Sequence, residues 1–448
     1  MILVYSPKFS KRITYTMGLL LGRLLGAEWQ LTSNLKQFGN YEGPKINYST
    51  RRRGDDMVHI PAHGFLMERG IREFAPELRW QDSLPLLFPA TDKEADLPFD
   101  VFAAAFYLVS RYEEYLPHRK DVFGRFEASE SYAFQNGFLH KPVVNHYATM
   151  IRKKLQEKFP EYSLNTPAFT FIPTYDIDVA YAYKGRAGVR SFLGAVRSLA
   201  QFDFTALKQR IRVLSGAEQD PFDSYDKQIR LYKESGIKAF YFFLVGDYGP
   251  YDRNLSVYSS TLFSLIKKLG DYAHIGIHPS YASNKDDFQL EKEIRRLSEI
   301  THQEIRFSRQ HYLRLNIPQT FHNLLKHNIT YDFTMGYASQ PGFRAGICSP
   351  YPFYDLAHEH STPLTIIPFA IMDGTLRDYL QLTPEESLSV IKQLIEEVAG
   401  VGGTFVSLWH NDALCDYGPW KGWQHVYDTM YKLASEKHEK NYDPIHQT

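Results

Sequence analysis

Acidic and histidine side chains stand at the ends of several strand-like segments in the second half of the chain. FTFIPTY leads into Asp176 and Asp178, HIGI leads into His278, and the segments SRQHYLRL and FVSLWHN contain His311 and His410. Two carboxylates this close do not both stay charged comfortably without a cation or a shifted pKa. A carboxylate with neutral imidazoles can hold zinc or a similar divalent ion. We therefore predict a catalytic metal centre at these strand ends.

Such a centre supports hydrolysis near neutral pH, because the metal lowers the pKa of a bound water and polarises a carbonyl. A second carboxylate then takes the water proton as general base, and a further histidine protonates the leaving group. Each residue alone has an ordinary alternative, since aspartates are common in turns and a single histidine is more often structural than a ligand. Their repetition at corresponding positions of four segments favours the chemical interpretation.

The elements that must position these residues alternate from about residue 166. The strand-like segments are FTFIPTYDID, KAFYFFLVGD, HIGIHPS, ITYDFTM, PLTIIPF and GTFVSLWHND. Helices are predicted between them over 225–235, 260–270, 319–327 and 384–398. This alternation indicates a parallel sheet covered by helices, either open or closed into a barrel. In such α/β folds the working residues lie at the carboxyl ends of the strands.

The first part of the chain shows a different pattern of predicted elements. It mixes short strand-like pieces with helices and carries no metal or phosphate motif. Its clearest predicted helix is 100–115, in which apolar residues share one face at helical spacing. We predict an accessory α/β domain of unknown role over 1–165 and a catalytic domain over 166–448.

Composition limits the partners and the compartment. The 448 residues contain 51 Lys plus Arg and 51 Asp plus Glu, so the net charge is zero and no overall field attracts nucleic acid. The two cysteines do not make a disulfide framework. No run approaches the roughly 20 apolar residues of a membrane span, and the N-terminal residues lack the order of a secretory signal. We expect a cytoplasmic protein without a membrane span or a nucleic-acid partner.

The strand-end motifs resemble the polysaccharide deacetylase family, also called carbohydrate esterase family 4, in a bacterial branch with an extra N-terminal domain. TYDID resembles the first family motif, HIGIHPSYAS the second, SRQHYLRL the third and VSLWHN the fifth, over about residues 166–430. The resemblance implies a distorted (β/α) barrel. It also implies a metal-dependent hydrolase that removes N- or O-acetyl groups, with N-acetyl the first expectation, from a glycan or a sugar intermediate of cell-envelope polysaccharide.

The resemblance also implies roles for single residues. Asp176 matches the catalytic base and Asp178 the metal-binding aspartate, although the family pair is adjacent and here Ile177 intervenes, so the two roles could be exchanged. Arg309 matches the arginine that orients the base, and His410 matches the catalytic acid.

The metal ligands depart from the family pattern at one position. His278 matches the first metal histidine, but the second, expected four residues later, is Ala282. We expect His311 to take its place, with one divalent ion bound, zinc before cobalt, nickel or manganese. Residues expected to support the acid or to contact the acetylated carbohydrate are Arg344, Asp332, Asp373, Trp409 and Tyr281.

Two other functions fit parts of the pattern. A catalytically silent carbohydrate-binding or scaffold protein on the same fold is the main alternative, because Ala282 interrupts the ligand set. A glycoside hydrolase needs two carboxylates about 5–10 Å apart on either side of the scissile bond. Asp176 and Asp178 lie at one strand end beside histidines, which favours metal binding.

Overall fold

The structure is a computed structural model that describes residues 1–164, 167–185 and 204–439. These residues form a mixed α/β protein with one parallel sheet, one mostly parallel sheet and a two-stranded hairpin. The first sheet has the order β2-β1-β3-β4, and all its pairs are parallel. Its strands are β1 (Ile2–Tyr5), β2 (Trp29–Thr32), β3 (Lys45–Ser49) and β4 (Val58–Pro61). A separate antiparallel hairpin consists of β5 (Leu78–Gln81) and β6 (Leu84–Leu87).

Five helices accompany these strands. They are α1 (Lys11–Met17), α2 (Leu35–Gly39), α3 (Val101–Val109), α4 (Tyr132–Gln135) and α5 (Val143–Lys158). The predicted helix over 100–115 begins as expected, because the Asp100 side chain accepts a hydrogen bond from the Ala103 N–H. It ends earlier, at Val109, because Arg111 adopts a positive φ of 53°. A 3-10 turn follows at Tyr112–Tyr115.

The second sheet has nine strands in the order β12-β13-β11-β10-β9-β8-β7-β15-β14. Its strands are β7 (Thr170–Ile177), β8 (Phe240–Phe243), β9 (His274–Ile277), β10 (Phe307–Ser308), β11 (Tyr331–Asp332), β12 (Tyr351–Asp355), β13 (His360–Ile366), β14 (Ile371–Met372) and β15 (Thr404–His410). All neighbours are parallel except β12 and β13.

The predicted barrel is not closed by strand pairing. Within the described ranges β12 and β14 lie at the two ends of the pairing order and do not pair with each other. One reason is that β14 has only two residues, and another is that β12 runs antiparallel to the rest of the sheet. The mixed α/β class and the strand–helix alternation are as predicted, whereas the closure is not.

Seven α-helices in the described ranges accompany the second sheet. They are α6 (Phe204–Leu214), α7 (Tyr225–Ser235), α8 (Ser260–Gly270), α9 (Asp287–Thr301), α10 (Gln319–Lys326), α11 (Pro384–Gly400) and α12 (Trp423–Lys437). Helices α7, α8, α10 and α11 match the predicted helices, whereas α6, α9 and α12 were not predicted. Helix α11 has the clearest start signal, a capping box between Thr383 and Glu386 with proline at the first position. None of the helices in the described part of the chain is long and apolar enough to cross a membrane.

One apolar cluster runs through both sheets and their helices. The ring of Tyr354, on β12, lies 4.8 Å from that of Tyr15 and 5.0 Å from that of Phe106, measured between centroids. The two rings come from α1 and α3, so the first part of the chain packs directly on the edge of the second sheet. The division at residue 165 stays a prediction.

Candidate metal and catalytic centre

Three predicted ligands meet at the carboxyl ends of β7, β9 and β10. Asp178 Oδ1 lies 3.2 Å from His278 Nε2, and Asp178 Oδ2 lies 3.4 Å from His311 Nε2. The donor atoms of the three side chains all lie within 4.8 Å of one another. Parallel strands bring their carboxyl ends to one edge of the sheet, which is why residues 178, 278 and 311 can converge.

The outer nitrogen of each imidazole is occupied. His278 Nδ1 donates to the main-chain oxygen of Arg309 at 2.6 Å, and His311 Nδ1 lies 2.9 Å from Asp252 Oδ1. Such partners fix the ring orientation and leave Nε2 to face a metal. Both histidines therefore present Nε2 to Asp178.

The donor set fits a divalent cation. Asp178 Oδ1 is a buried atom that has no hydrogen-bond partner in the part of the chain that the structure describes. It faces His278 Nε2, which in a neutral ring carries a lone pair because Nδ1 holds the proton. A lone pair opposite a carboxylate oxygen is repulsive unless positive charge lies between them. One carboxylate and two imidazoles are also a common ligand set of catalytic zinc sites.

The charges around His311 also favour a cation. Burial lowers the pKa of His311, but Asp178 and Asp252 on its two sides raise this pKa to about 9. Burial raises the pKa of Asp178, and the neighbouring histidines lower it well below its usual value. The site therefore holds positive charge, which is a proton when no metal is bound.

Asp176 lies beside this group and is held by Arg309. Arg309 Nη1 donates to Asp176 Oδ1 at 2.8 Å, and Asp176 Oδ2 lies 3.7 Å from His278 Nε2. Arg309 is fully buried, and its Nε donates to the main-chain oxygen of Phe333 at 3.0 Å. Burial lowers the pKa of the guanidinium, whereas Asp176 raises it. Arg309, which directly follows β10, thus fixes the orientation of Asp176.

His410 lies opposite, at the end of β15. Its Nδ1 lies 2.8 Å from Asp373 Oδ1, and its main-chain N–H donates to Asp373 Oδ2 at 2.7 Å. The Nε2 atom lies 3.8 Å from Asp178 Oδ2. Burial lowers the pKa of His410, but Asp373, Asp178 and Asp176 raise it well above its usual value. Asp373 thus contacts the predicted acid directly.

Two of the remaining predicted residues lie near the centre without contacting the three ligand atoms. The main-chain N–H of Tyr281 donates to Asp252 Oδ1 at 2.8 Å, and its ring lies 4.3 Å from the guanidinium of Arg314. Asp332 is fully buried and accepts two hydrogen bonds from Thr334, and burial raises its pKa to about 6.

Trp409 and Arg344 do not fit the predicted substrate contacts. Trp409 is 0% exposed, and its Nε1 donates to Met430 Sδ on α12, because alternate residues of a strand face opposite sides of the sheet. Arg344 is buried, and it donates from Nε and Nη2 to the two oxygens of Glu114 at 2.8 and 2.6 Å. We correct both assignments, since Trp409 is a core residue and Arg344 belongs to a buried ion pair.

The sequence gives no signal for two further residues at the centre. Asp252 holds His311, but it lies nine residues beyond the end of β8 and follows no recognisable strand. Arg125 belongs to the first part of the chain, and its Nη1 donates to the main-chain oxygen of Tyr312 at 3.0 Å. Both act through long-range contacts that spacing does not reveal.

A family model described as a family of unknown function (DUF7033) matches residues 2–160. This match covers about a third of the chain, and it includes Arg125. No curated protein sequence matches the chain.

Several solved structures resemble about three fifths of the chain. A Mycobacterium smegmatis protein assigned as a polysaccharide deacetylase is 12% identical and has a TM-score of 0.38, with 61% of this chain and 91% of that chain covered. A family 4 carbohydrate esterase from Streptomyces lividans in complex with acetate is 11% identical, with a TM-score of 0.29 and coverages of 63% and 96%. A CE4 family pseudoenzyme from Bacillus anthracis is 11% identical, with a TM-score of 0.31 and coverages of 61% and 62%. At such low values these likenesses assign neither activity nor substrate.

Proposed function

We propose that the protein is a metal-dependent hydrolase that removes an N-acetyl group from a carbohydrate. The observation that carries this proposal is the convergence of Asp178, His278 and His311 between two further pairs, Asp176 with Arg309 and His410 with Asp373. A ligand set, a base and an acid thus lie at one sheet edge, as hydrolysis of an amide requires.

Asp178, His278 and His311 would hold the ion, zinc before cobalt, nickel or manganese. When bound, a divalent ion polarises the acetyl carbonyl and makes a water acidic enough to attack near neutral pH. Asp252 and the main-chain oxygen of Arg309 keep the two imidazoles in the orientation that leaves Nε2 available.

Asp176 is the base in this proposal. Of the two aspartates, Asp178 faces both histidines, whereas Asp176 bonds to Arg309 through Oδ1 and keeps Oδ2 toward the centre. The guanidinium fixes the direction of the carboxylate, so Asp176 can accept a proton from the attacking water. These contacts support Asp176 as the base and Asp178 as the metal ligand, rather than the reverse.

His410 is the acid. Its Nδ1 is held by Asp373, so the proton on Nε2 points toward Asp178 and the centre. Donation of that proton to the departing nitrogen converts a poor leaving group into an amine. Since the carboxylates favour the imidazolium form, His410 holds the proton that this step needs.

Aromatic side chains near the centre support a carbohydrate as the substrate. The rings of Tyr251, Tyr281 and Tyr312 lie 4.4–5.7 Å apart between centroids. Tyr251 is 45% exposed, and Asp252, which holds His311, follows it directly in the chain. A sugar ring has C–H faces that stack on aromatic rings and hydroxyls that bond to phenol groups.

The test is acetate release from N-acetylglucosamine oligosaccharides by metal-loaded protein. We expect Asp178→Asn and His410→Ala to lower kcat by about 10²–10⁴-fold, and Asp271→Asn, which changes an exposed aspartate, to leave it unchanged. Loss of bound metal in Asp178→Asn should accompany the loss of activity. If no acetylated sugar releases acetate while glycan binding survives His410→Ala, the catalytically silent alternative replaces this proposal.

A further inference from the structure

A second group of histidine and carboxylate side chains lies away from the centre, where the parallel strands begin. Asp355 ends β12 and is 1% exposed. His322, on α10, and His358, in the turn between β12 and β13, approach its Oδ2 atom, and Nε2 of His322 and Nδ1 of His358 both lie 2.7 Å from it. His360 starts β13, which is parallel to β11, so this group and the catalytic residues occupy opposite ends of the strands.

The buried carboxylate lacks a strong cationic partner. Asp355 Oδ1 accepts from the main-chain N–H of Ala357 at 2.9 Å. Over the described ranges its ion-pair partners are the two histidines, and no lysine or arginine reaches it. Both partners are histidines rather than permanently charged side chains, and a buried carboxylate without a fixed positive charge beside it is costly.

We propose that His322, Asp355 and His358 bind a divalent transition-metal ion of the zinc type. The three donor atoms lie within 4.8 Å of one another. The imidazoles of His358 and His360 lie 6.1 Å apart between centroids, so His360 or a water can complete four-fold coordination. This site is independent of the function proposed above.

The movement of the His322 and His358 side chains that zinc binding requires is small. Ligand atoms about 2.0–2.1 Å from a tetrahedral zinc ion lie about 3.3 Å apart, so the two nitrogen–oxygen distances must widen by about 0.6 Å. The side chain of His358 is 65% exposed and that of His322 is 30% exposed, which leaves both free to shift. Each imidazole would bind the ion through the lone pair of the nitrogen that now faces Asp355, with its proton on the other ring nitrogen.

The ion would also secure the contact between the two parts of the chain. Glu359, between His358 and His360, forms an ion pair with the buried Arg12 of α1. It also accepts hydrogen bonds from the Gly70 N–H at 3.0 Å and from the Tyr354 hydroxyl at 2.8 Å. An ion that joins His358 to His322 on α10 would therefore also hold Glu359 in contact with Arg12 and Gly70.

The test is calorimetric titration of chelator-treated full-length protein with ZnCl2 alone. We expect two ions per chain in the wild type and one in the double variant His322→Ala/His358→Ala. His425→Ala is the matched control, because it removes an exposed histidine outside both groups, and it should still bind two. His358→Ala alone should weaken binding of one ion about tenfold or more.

A second measurement covers the case in which the double variant does not fold. In an Asp178→Asn background, which disables the catalytic site, zinc should still raise the Tm, and adding His358→Ala should abolish that rise. Equal stoichiometry and affinity in the wild type and the double variant would overturn the second site. If a single ion is bound and lost only with Asp178→Asn, the second site fails while the function proposed above stands.

Discussion

Arg125 donates a hydrogen bond from Nη1 to the main-chain oxygen of Tyr312 at 3.0 Å, and this bond ties the first third of the chain to the turn that carries His311. Tyr312 and Leu313 have φ angles of 60° and 52°. This left-handed conformation costs non-glycine residues on the order of 1–3 kcal/mol each. The ring of Phe123 packs on that of Tyr312 at 5.0 Å between centroids. A strained turn beside a proposed metal ligand is therefore held from a distant part of the sequence.

Removal of the hydrogen bond from Arg125 should loosen the position of His311. We expect Arg125→Ala to weaken Co²⁺ binding at the catalytic site and to lower kcat/KM, each by about tenfold, because the turn can relax and move His311. Arg125→Lys should restore part of the loss. The absorption spectrum of bound Co²⁺ reports the change independently of turnover. Arg119→Ala, which removes an exposed arginine paired with Glu130, is the control, and equal Co²⁺ affinity in both variants would contradict the role of Arg125.

The pH dependence of turnover should reveal the contact between Asp373 and His410. Burial lowers the pKa of His410 and Asp373 raises it, so Asp373→Asn should lower this pKa. Because the acid must carry a proton, activity is lost as pH rises through this pKa. The alkaline limb of the kcat profile should therefore move to lower pH in the variant. An unmoved limb, with Asp271→Asn as the exposed control, would show that His410 is not the acid.

Glu114 should contribute stability that is lost in acid. Burial raises its pKa, but Arg344 and Arg111 lower it to about 2. A folded-state pKa below the unfolded value of about 4.3 gives stability that is present above that value and is lost as pH falls through about 4 to 2. Glu114→Gln removes the carboxylate that pairs with the buried Arg344 and one of the two that pair with Arg111, and it should cost about 3–5 kcal/mol at neutral pH. Urea unfolding measures this, with the surface variant Glu130→Gln expected to change little.

Exposed and buried aromatic residues near the centre should respond differently to substitution. Tyr251→Ala removes an exposed ring and should raise KM for an oligosaccharide several-fold without changing the Tm. Trp409→Phe removes packing against α12 and should lower the free energy of unfolding by about 1–3 kcal/mol with KM unchanged. Kinetics and thermal melts on the same samples distinguish a substrate contact at Tyr251 from a packing role at Trp409. A higher KM for Trp409→Phe alone would reverse the assignment.

Local signals explain why much of the sheet and its helices could be predicted. Strand β7 is buried along its whole length and is rich in apolar and β-branched residues, and α11 has Thr383, Pro384 and Glu386 at its start. Parallel strands then force residues at their carboxyl ends together. That rule places Asp178 and His278 side by side without any knowledge of the loops.

Contacts that cross long stretches of sequence could not be predicted. The tie between Arg125 and Tyr312 spans 187 residues, and that between Arg344 and Glu114 spans 230. Strand alternation makes sequence neighbours face opposite sides of the sheet, so Trp409 faces the core while His410 faces the centre. Closure of the sheet depends on its two terminal strands, the two-residue β14 and the antiparallel β12, whose pairing no local pattern determines.

The pairing of β7 with β15 places Asp176 opposite His410 in the register of the ladder. Neighbouring strands lie about 4.8 Å apart, so main-chain hydrogen bonds hold the backbone positions of the proposed proton acceptor and donor about one strand spacing apart. The distance between the carboxylate of Asp176 and the imidazole of His410 then depends on side-chain length rather than on loop conformation. Lengthening the acceptor by one methylene, as in Asp176→Glu, keeps its charge but shortens the gap that the scissile amide must enter.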